Sequence, residues 1–260
     1  MCIRDRYYHH IAEKQPDGTV VTLVEADASD GEQEYYGFEV HQVDVETDTL
    51  VWSWSLQRAV DDGTLTRGDA NWAGIMTEPD GSETMVVSLC EGFTIFGIDM
   101  DSGAVSWTLA PDGTLDLGDG DPPRCQHGLD VDGQKLLVYD NGAQPTSRAV
   151  EYDIDVAAGT ATETWSWTED GWRELAWGDV DYLGEDRVVI TKGHVGDWGE
   201  GPTQIIELDR TDDTEIWRLS FTEESDAVYS ADRIDGCELF AETSRCPSLA
   251  ARLEELSEWF

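Results

Sequence analysis

Apolar and polar residues alternate with a period of two along most of this chain. The segments SETMVVSL (82–89), FTIFGIDM (93–100), QKLLVYD (134–140), SRAVEYDID (147–155), DRVVITK (186–192) and TQIIELD (203–209) are β-branched and aromatic runs bounded by Gly, Asp and Pro. That is the pattern of strands. Turns PDGS (79–82), VDGQ (131–134) and LGED (183–186) lead into the first strong strand of successive units. Helical spacing is predicted in one place, PSLAARLEELSEWF (247–260), where Pro247 stands near the start.

A longer repeat overlies the alternation. Trp52, Trp107, Trp165 and Trp217 recur at intervals of 55, 58 and 52 residues, and three of them lie eight residues after Asp44, Asp99 and Asp209. The units VDVETDTLVW, IDMDSGAVSW, YDIDVAAGTATETW and LDRTDDTEIW each read as a strand ending in Asp, a polar turn, and a strand carrying Trp. The third is four residues longer, counted from Asp153. A hairpin repeating at this period predicts an all-β chain, a β-propeller with about four to five blades present. In such a fold the Trp fills the wedge between neighbouring blades, burying area worth roughly 2–3 kcal/mol. The Asp caps backbone amides of its own turn. Both are architectural, so the chemistry is sought in residues that break the repeat.

Charge narrows the partners. The 260 residues carry 56 acidic and 16 basic side chains, a formal net charge of −40. The acids are spread through turns such as Asp44 to Asp48 and Asp209 to Glu215, a solvated surface that repels nucleic acid and anionic membrane. Counterions relieve the self-repulsion, which fits a saline habitat. No apolar run is long enough to span a bilayer, so neither nucleic acid nor membrane insertion is expected.

The first six residues, MCIRDR, resemble the translation of a sequencing adapter at the start of a metagenomic fragment. They are expected to be an artefact that replaces the native N-terminus and any signal peptide. Setting Cys2 aside with them leaves Cys90, Cys125, Cys237 and Cys246. Cys237 and Cys246 bracket a short loop, Cys90 with Cys125 is the remaining pairing, and an even count favours an oxidising compartment. Four separate buried thiols are the alternative. The expected organisation is an artefact over 1–6, a propeller over 7–246 and a helix over 247–260.

The segment from Cys125 to Trp167 is distinctive. It holds Gln126-His127 before a strand, an Asp140-Asn141-Gly142 turn after it, Ser147-Arg148-Ala149-Val150-Glu151-Tyr152, an Asp-rich turn, Gly159-Thr160 and the Trp strand. This order of elements resembles the arylsulfotransferase family, PAPS-independent aryl sulfate sulfotransferases built on a six-bladed propeller. Ala70-Asn71-Trp72 and VYSADRIDGCELF resemble the flanking blades, so the resemblance covers roughly residues 34–246.

The resemblance implies a ping-pong transfer in which a histidine in the central funnel takes the sulfuryl group from an aryl sulfate and passes it to a phenol. A neutral imidazole is a competent nucleophile near pH 7, and the covalent intermediate splits one displacement into two. His194, on a Gly-flanked loop, falls where the nucleophile is expected. His127 is matched to sulfate contact and proton handling, and Arg148 to the sulfate oxygens or, alternatively, to an ion pair between blades. Asn71, Trp72 and Asn141 are the implied substrate-binding residues. The implied partners are a small aryl sulfate and a phenol, with no cofactor and no metal, and the implied location is periplasmic or secreted. Asp69 stands where family members commonly have histidine, and its carboxylate repels sulfate at close range.

Other readings compete. A non-catalytic acidic propeller binding a ligand or protein partner would leave His127 and His194 far apart. The Asp99 to Trp107 pattern also resembles the tryptophan repeat of quinoprotein dehydrogenases, though the Gln-His to Asp-Asn-Gly segment does not. Asp116-Leu117-Gly118-Asp119-Gly120-Asp121 offers part of a calcium shell without the EF-hand spacing, and reads as a flexible acidic loop. No phosphate loop, zinc spacing of Cys and His, or nucleophile-elbow serine is present.

Overall fold

A computed structural model describes residues 8–65, 68–90, 92–142, 146–193, 199–200, 202–221 and 227–233. Four antiparallel four-stranded sheets follow one another along the chain, each ordered as a simple meander in all four blades. Blade 1 is β1 (Tyr8–Lys14), β2 (Thr19–Ser29), β3 (Glu34–Asp44) and β4 (Thr49–Ser55), followed by a helix α1 (Leu56–Asp61). Blade 2 is β5 (Ala70–Thr77), β6 (Glu83–Leu89), β7 (Thr94–Asp99) and β8 (Val105–Leu109). Blade 3 is β9 (Gln126–Asp132), β10 (Lys135–Asp140), β11 (Arg148–Asp155) and β12 (Thr160–Trp167). A two-residue strand β13 (Arg173–Glu174) precedes blade 4, which is β14 (Asp179–Tyr182), β15 (Arg187–Lys192), β17 (Gln204–Asp209) and β18 (Thr214–Ser220). The short β16 (Gly199–Glu200) pairs with β13. These are blades of a β-propeller, as the Trp repeat predicts.

The repeat is finer than the Trp spacing alone suggests. In every blade the last two strands slip register by one residue immediately before the Trp, leaving Val51, Ser106, Thr164 and Ile216 as the extra residues. Such a bulge bends the strand and increases its twist. The turns also match. Asp44 Oδ1 accepts from the Glu46 and Thr47 amides, Asp99 Oδ1 from Ser102, and Asp209 Oδ1 from Thr211. In the third unit the capping residue is Asp155, which accepts from the Ala158 amide at 2.8 Å, not Asp153. Trp165 still pairs with Glu151, so the four extra residues lengthen each strand by two and leave turn and bulge unchanged.

Period-two alternation sends successive side chains of one strand into different cores. Leu136 and Val138 of β10 pack toward blade 2 with Trp72, Met76, Val86, Ile95 and Trp107. Leu137 and Tyr139 pack toward blade 4 with Trp172, Val180, Val188, Ile190 and Ile206. A third core joins Val21, Leu23, Phe38, Val40 and Trp54 of blade 1 to Met85, Val87, Phe96 and Ile98 of blade 2. Trp52 Nε1 donates to the Met100 carbonyl in the Asp99 turn, and Trp165 Nε1 to Asp213 beside the Asp209 turn. Trp52 and Trp165 are thus tied to the hairpin of the following blade.

A helix also forms where the sequence pattern predicts none, at α1. Ser55 caps α1 by accepting from the Gln57 amide, and Leu56 and Ala59 enter the first core while Arg58 Nη2 donates to the Ser102 carbonyl. Six residues are too few to show helical periodicity in sequence, and Ser55 is shared with β4. The predicted helix over 247–260, Cys237, Cys246, His194 and MCIRDR lie outside the described residues. Among the described residues, no helix is long and apolar enough to cross a membrane.

Candidate active site

The first strand of each blade is the one that meets its counterparts in neighbouring blades, β5 against β1 and β9, and β9 against β14. Residues at the starts of these strands therefore gather at one mouth of the axis. β9 opens there on Gln126-His127. The Gln126 Nε2 donates to the Leu89 and Thr94 carbonyls of blade 2 at 3.0 Å each, and Asn71 Nδ2 donates to the Gln126 carbonyl at 3.3 Å. Gln126 is the anchor, and the alternation turns His127 the other way.

His127 is buried, and its Nδ1 lies 2.7 Å from Asn141 Oδ1. Asn141 Nδ2 donates to the Trp177 carbonyl at 2.7 Å, which fixes the amide with its oxygen toward the imidazole. Nδ1 is then the protonated nitrogen, and Nε2 keeps its lone pair. Burial lowers the His127 pKa below the ordinary value, while hydrogen bonds to Asn141 and the Cys125 backbone partly offset it. The ring is neutral at pH 7.

The rest of the Cys125 to Trp167 motif holds Asn141 in place. Asp140 Oδ1 accepts from the Arg124 and Gly142 amides. A Cβ at Gly142 would overlap the Arg124 carbonyl, so the turn requires glycine. Ser147 Oγ donates toward the Asn141 and Glu174 carbonyls and accepts from the Glu174 amide at 2.8 Å. Arg148 donates through Nε to Asp140 at 3.0 Å, through Nη1 to Glu163 at 3.1 Å, and through Nη2 to the Asp121 carbonyl and the Tyr152 hydroxyl. It lines a cleft of about 360 Å³ with Asp121, Arg124, Asp140 and Thr168. These acceptors all lie in blade 3 or in the loop that leads into it, so the guanidinium makes its ion pairs within one blade and not between blades.

Two aromatic side chains and a disulfide border His127. The Tyr229 ring stands edge-on at 6.4 Å, and Trp177, with 42% of its surface exposed, lies 6.2 Å beyond Tyr229. Cys90, at the end of blade 2's second strand, is bonded to Cys125, two residues before His127. Asp69 is exposed at the same mouth; burial, and after it the charges of Asp179 and Asp69, raise the Tyr229 phenol and keep it protonated. Val228 donates to the Gly193 carbonyl, so residues 227–229 run beside blade 4 into the mouth.

Deeper along the axis lie carboxylates. Burial, with repulsion from Asp130 and Asp232, raises Glu13 to about 7. Burial likewise raises Asp130, Asp179 and Asp181, and repulsion from neighbouring carboxylates, Asp232 in each case, adds to it. Asp179 packs so closely on Gly128 that a Cβ there would overlap its carboxylate. The alternation in GLDVD and DVDY carries this signal, an acid at every second residue of an inner strand.

The structure thus gathers Asn71, His127 and Asn141 at one mouth, with the Cys90–Cys125 disulfide. Trp72 is instead buried in the core between blades 2 and 3, its ring over Gly74, and Arg148 sits in its ion-pair network. In the acidic loop Asp116 caps the Gly118 amide. Among the described residues, the one group that brings three potential metal-ligand atoms together is Cys90, Cys125 and His127.

No curated protein matches the chain. Solved structures do, at low identity. A protein of unknown function from Bacteroides caccae is 13% identical over 81% of this chain and 66% of its own, with a TM-score of 0.49. Hydrazine synthase of Kuenenia stuttgartiensis is 14% identical over 82% of this chain and 51% of its own, with a TM-score of 0.45. The β-propeller domain of the trilobed protease of Pyrococcus furiosus, described as having an open velcro topology, is 11% identical over 85% of this chain and 58% of its own, at 0.39. The chain spans less than two thirds of these proteins' lengths. The family model Arylsulfotransferase (ASST) matches residues 3–230, and the chain belongs to the arylsulfotransferase family.

Proposed function

We propose that the protein transfers a sulfuryl group from an aryl sulfate to a phenol, with His127 as the nucleophile. The observation that carries this is the Asn141 carbonyl on Nδ1, which leaves a neutral, lone-pair-bearing Nε2 at the mouth of the axis. In the first step Nε2 attacks sulfur, an N–S bond forms, the S–O bond to the aryl group breaks, and the donor leaves as phenolate. In the second step the acceptor oxygen attacks sulfur, the N–S bond breaks to return the neutral imidazole, and the acceptor's proton passes to solvent. The Tyr229 ring, edge-on to the imidazole, offers an aromatic wall to an aryl group. Asn71 holds the Gln126 carbonyl, Asn141 orients the imidazole, and Arg148 acts as a positioning residue through Asp140. His194 remains the alternative nucleophile by resemblance. The disulfide supports a periplasmic or secreted location.

A propeller that binds a cationic ligand without chemistry is the second reading, favoured by Asp69 and the axial acids. Turnover of 4-nitrophenyl sulfate with phenol as acceptor, in high salt, separates the two. The transferase reading expects acceptor-dependent release that falls by a factor of 10³ or more, on the order of 4 kcal/mol, in His127→Ala. Release that survives in His127→Ala and is lost in His194→Ala moves the nucleophile to His194. No release from folded wild type selects the binding propeller.

A further inference from the structure

We propose that Cys90, Cys125 and His127 form a redox-gated site for a thiophilic divalent metal ion, zinc in particular. Two sulfurs and a ring nitrogen lie within 4.8 Å of one another. Tetrahedral zinc holds sulfur at about 2.3 Å and imidazole nitrogen at about 2.0–2.1 Å, so its ligand atoms stand about 3.3–3.8 Å apart. Breaking the S–S bond frees the two sulfurs to separate toward that spacing.

The disulfide is the gate. Bonded sulfurs are too close together to occupy two corners of a tetrahedron. A dithiol reductant supplies two electrons and two protons: the S–S bond breaks, two thiols form, and the reductant closes its own disulfide. Binding Zn²⁺ then releases the two thiol protons to solvent. The imidazole gives its lone pair and loses no proton.

Three features of the site suit a metal. His127 is buried with Nδ1 held by Asn141, which is held in turn by the Trp177 carbonyl. Outer hydrogen bonds of this kind orient a ligating histidine, and they leave Nε2 for the ion. Cys90 and Cys125 are partly exposed, which admits both reductant and metal. The net charge of −40 concentrates cations at the surface. Three protein ligands leave a fourth corner open, the arrangement of a catalytic or inhibitory zinc, not a closed structural one.

The site is assembled across two blades. Cys90 directly follows β6 of blade 2, while Cys125 directly precedes β9 of blade 3, on which His127 is the second residue. Reduction removes the covalent tie between them, and the ion restores it. Metal bound at Nε2 also occupies the nitrogen assigned above to sulfuryl transfer, yet the site is read by metal binding and stands whether or not the protein turns over an aryl sulfate.

Cobalt(II) is the probe. The full chain carrying Cys2→Ser, Cys237→Ser and Cys246→Ser retains sulfur only at Cys90 and Cys125 among its cysteines. It is titrated with cobalt before and after reduction by a phosphine, with the near-ultraviolet circular dichroism followed in parallel. The expected result is one equivalent bound after reduction, with sulfur-to-cobalt charge transfer and the intense visible bands of a tetrahedral site, and neither band in the oxidised protein. Asn141→Ala should weaken binding about 10–100-fold, and His127→Ala by more than that range. Bands of equal intensity in the oxidised protein, or unchanged binding in His127→Ala, would overturn the proposal. So would a reduced protein that loses its near-ultraviolet signal and does not regain it with zinc.

Discussion

At the scale of single residues, the site depends on which nitrogen of one imidazole carries a proton. Asn141 settles that, and the hydrogen bond has a measurable second effect. It raises the His127 pKa against the larger lowering by burial. Removing it should let the pKa fall further, so the acidic limb of kcat/KM, already below the ordinary histidine value of about 6.5, should move to lower pH in Asn141→Ala. A rate that drops with no movement of the limb would mean that Asn141 acts only through packing. The Gln-His and Asp-Asn-Gly steps are fourteen residues apart and were legible as a motif because both belong to one strand pair. Arg148 was less so. Its ion pairs to Asp140 and Glu163 depend on the register of β11 with β10 and β12, which sets Asp140 opposite Arg148 and Glu163 opposite Tyr152, and sequence order does not display that. The axial acids were missed for a similar reason: Glu13, Asp130 and Asp179 meet only when three blades converge.

At the scale of elements, the Trp strand was readable because the bulge and the turn that frame it are local. The four tryptophans nevertheless differ in environment. Trp107 has 2% of its surface exposed and lies over Gly97, whereas Trp217 has 48% exposed. Truncation to alanine should therefore destabilise by about 3–5 kcal/mol at Trp107 and by no more than about 1 kcal/mol at Trp217. Chemical denaturation of the two variants checks this, and equal losses would show that Trp217 is covered in solution. The exposed Trp217 shares its strand with Ile216 and Leu219, also exposed, an apolar row of the kind that the Trp52 and Trp165 strands turn against the next blade. Helix α1 was illegible for the opposite reason, being too short to carry a period.

At the scale of the molecule, two populations of carboxylate pull the pH dependence in opposite directions. Hydrogen bonds from Thr47, Ser102 and Thr211 hold Asp44, Asp99 and Asp209 below the usual aspartate range. Their contribution is present above that range and is lost as pH falls through it. Glu13 is raised by burial and its acidic neighbours, so its contribution is complete below about 4.5 and is lost as pH rises toward 7. Stability at moderate salt should therefore decline between about pH 4.5 and 7, and Glu13→Gln should flatten the decline. A melting temperature that climbs steadily over that interval in both proteins would contradict it. The order of the cores has a separate consequence. Each apolar core joins one blade to the next, so among the described residues the apolar packing is a linear series of coupled units, crossed only at the axis, where Glu13 of blade 1 meets Asp130 and Asp179 of blades 3 and 4. Loosening one interface would divide the series into two folded halves instead of softening the whole, and amide exchange would be expected to spread inward from whichever blade has a single neighbour.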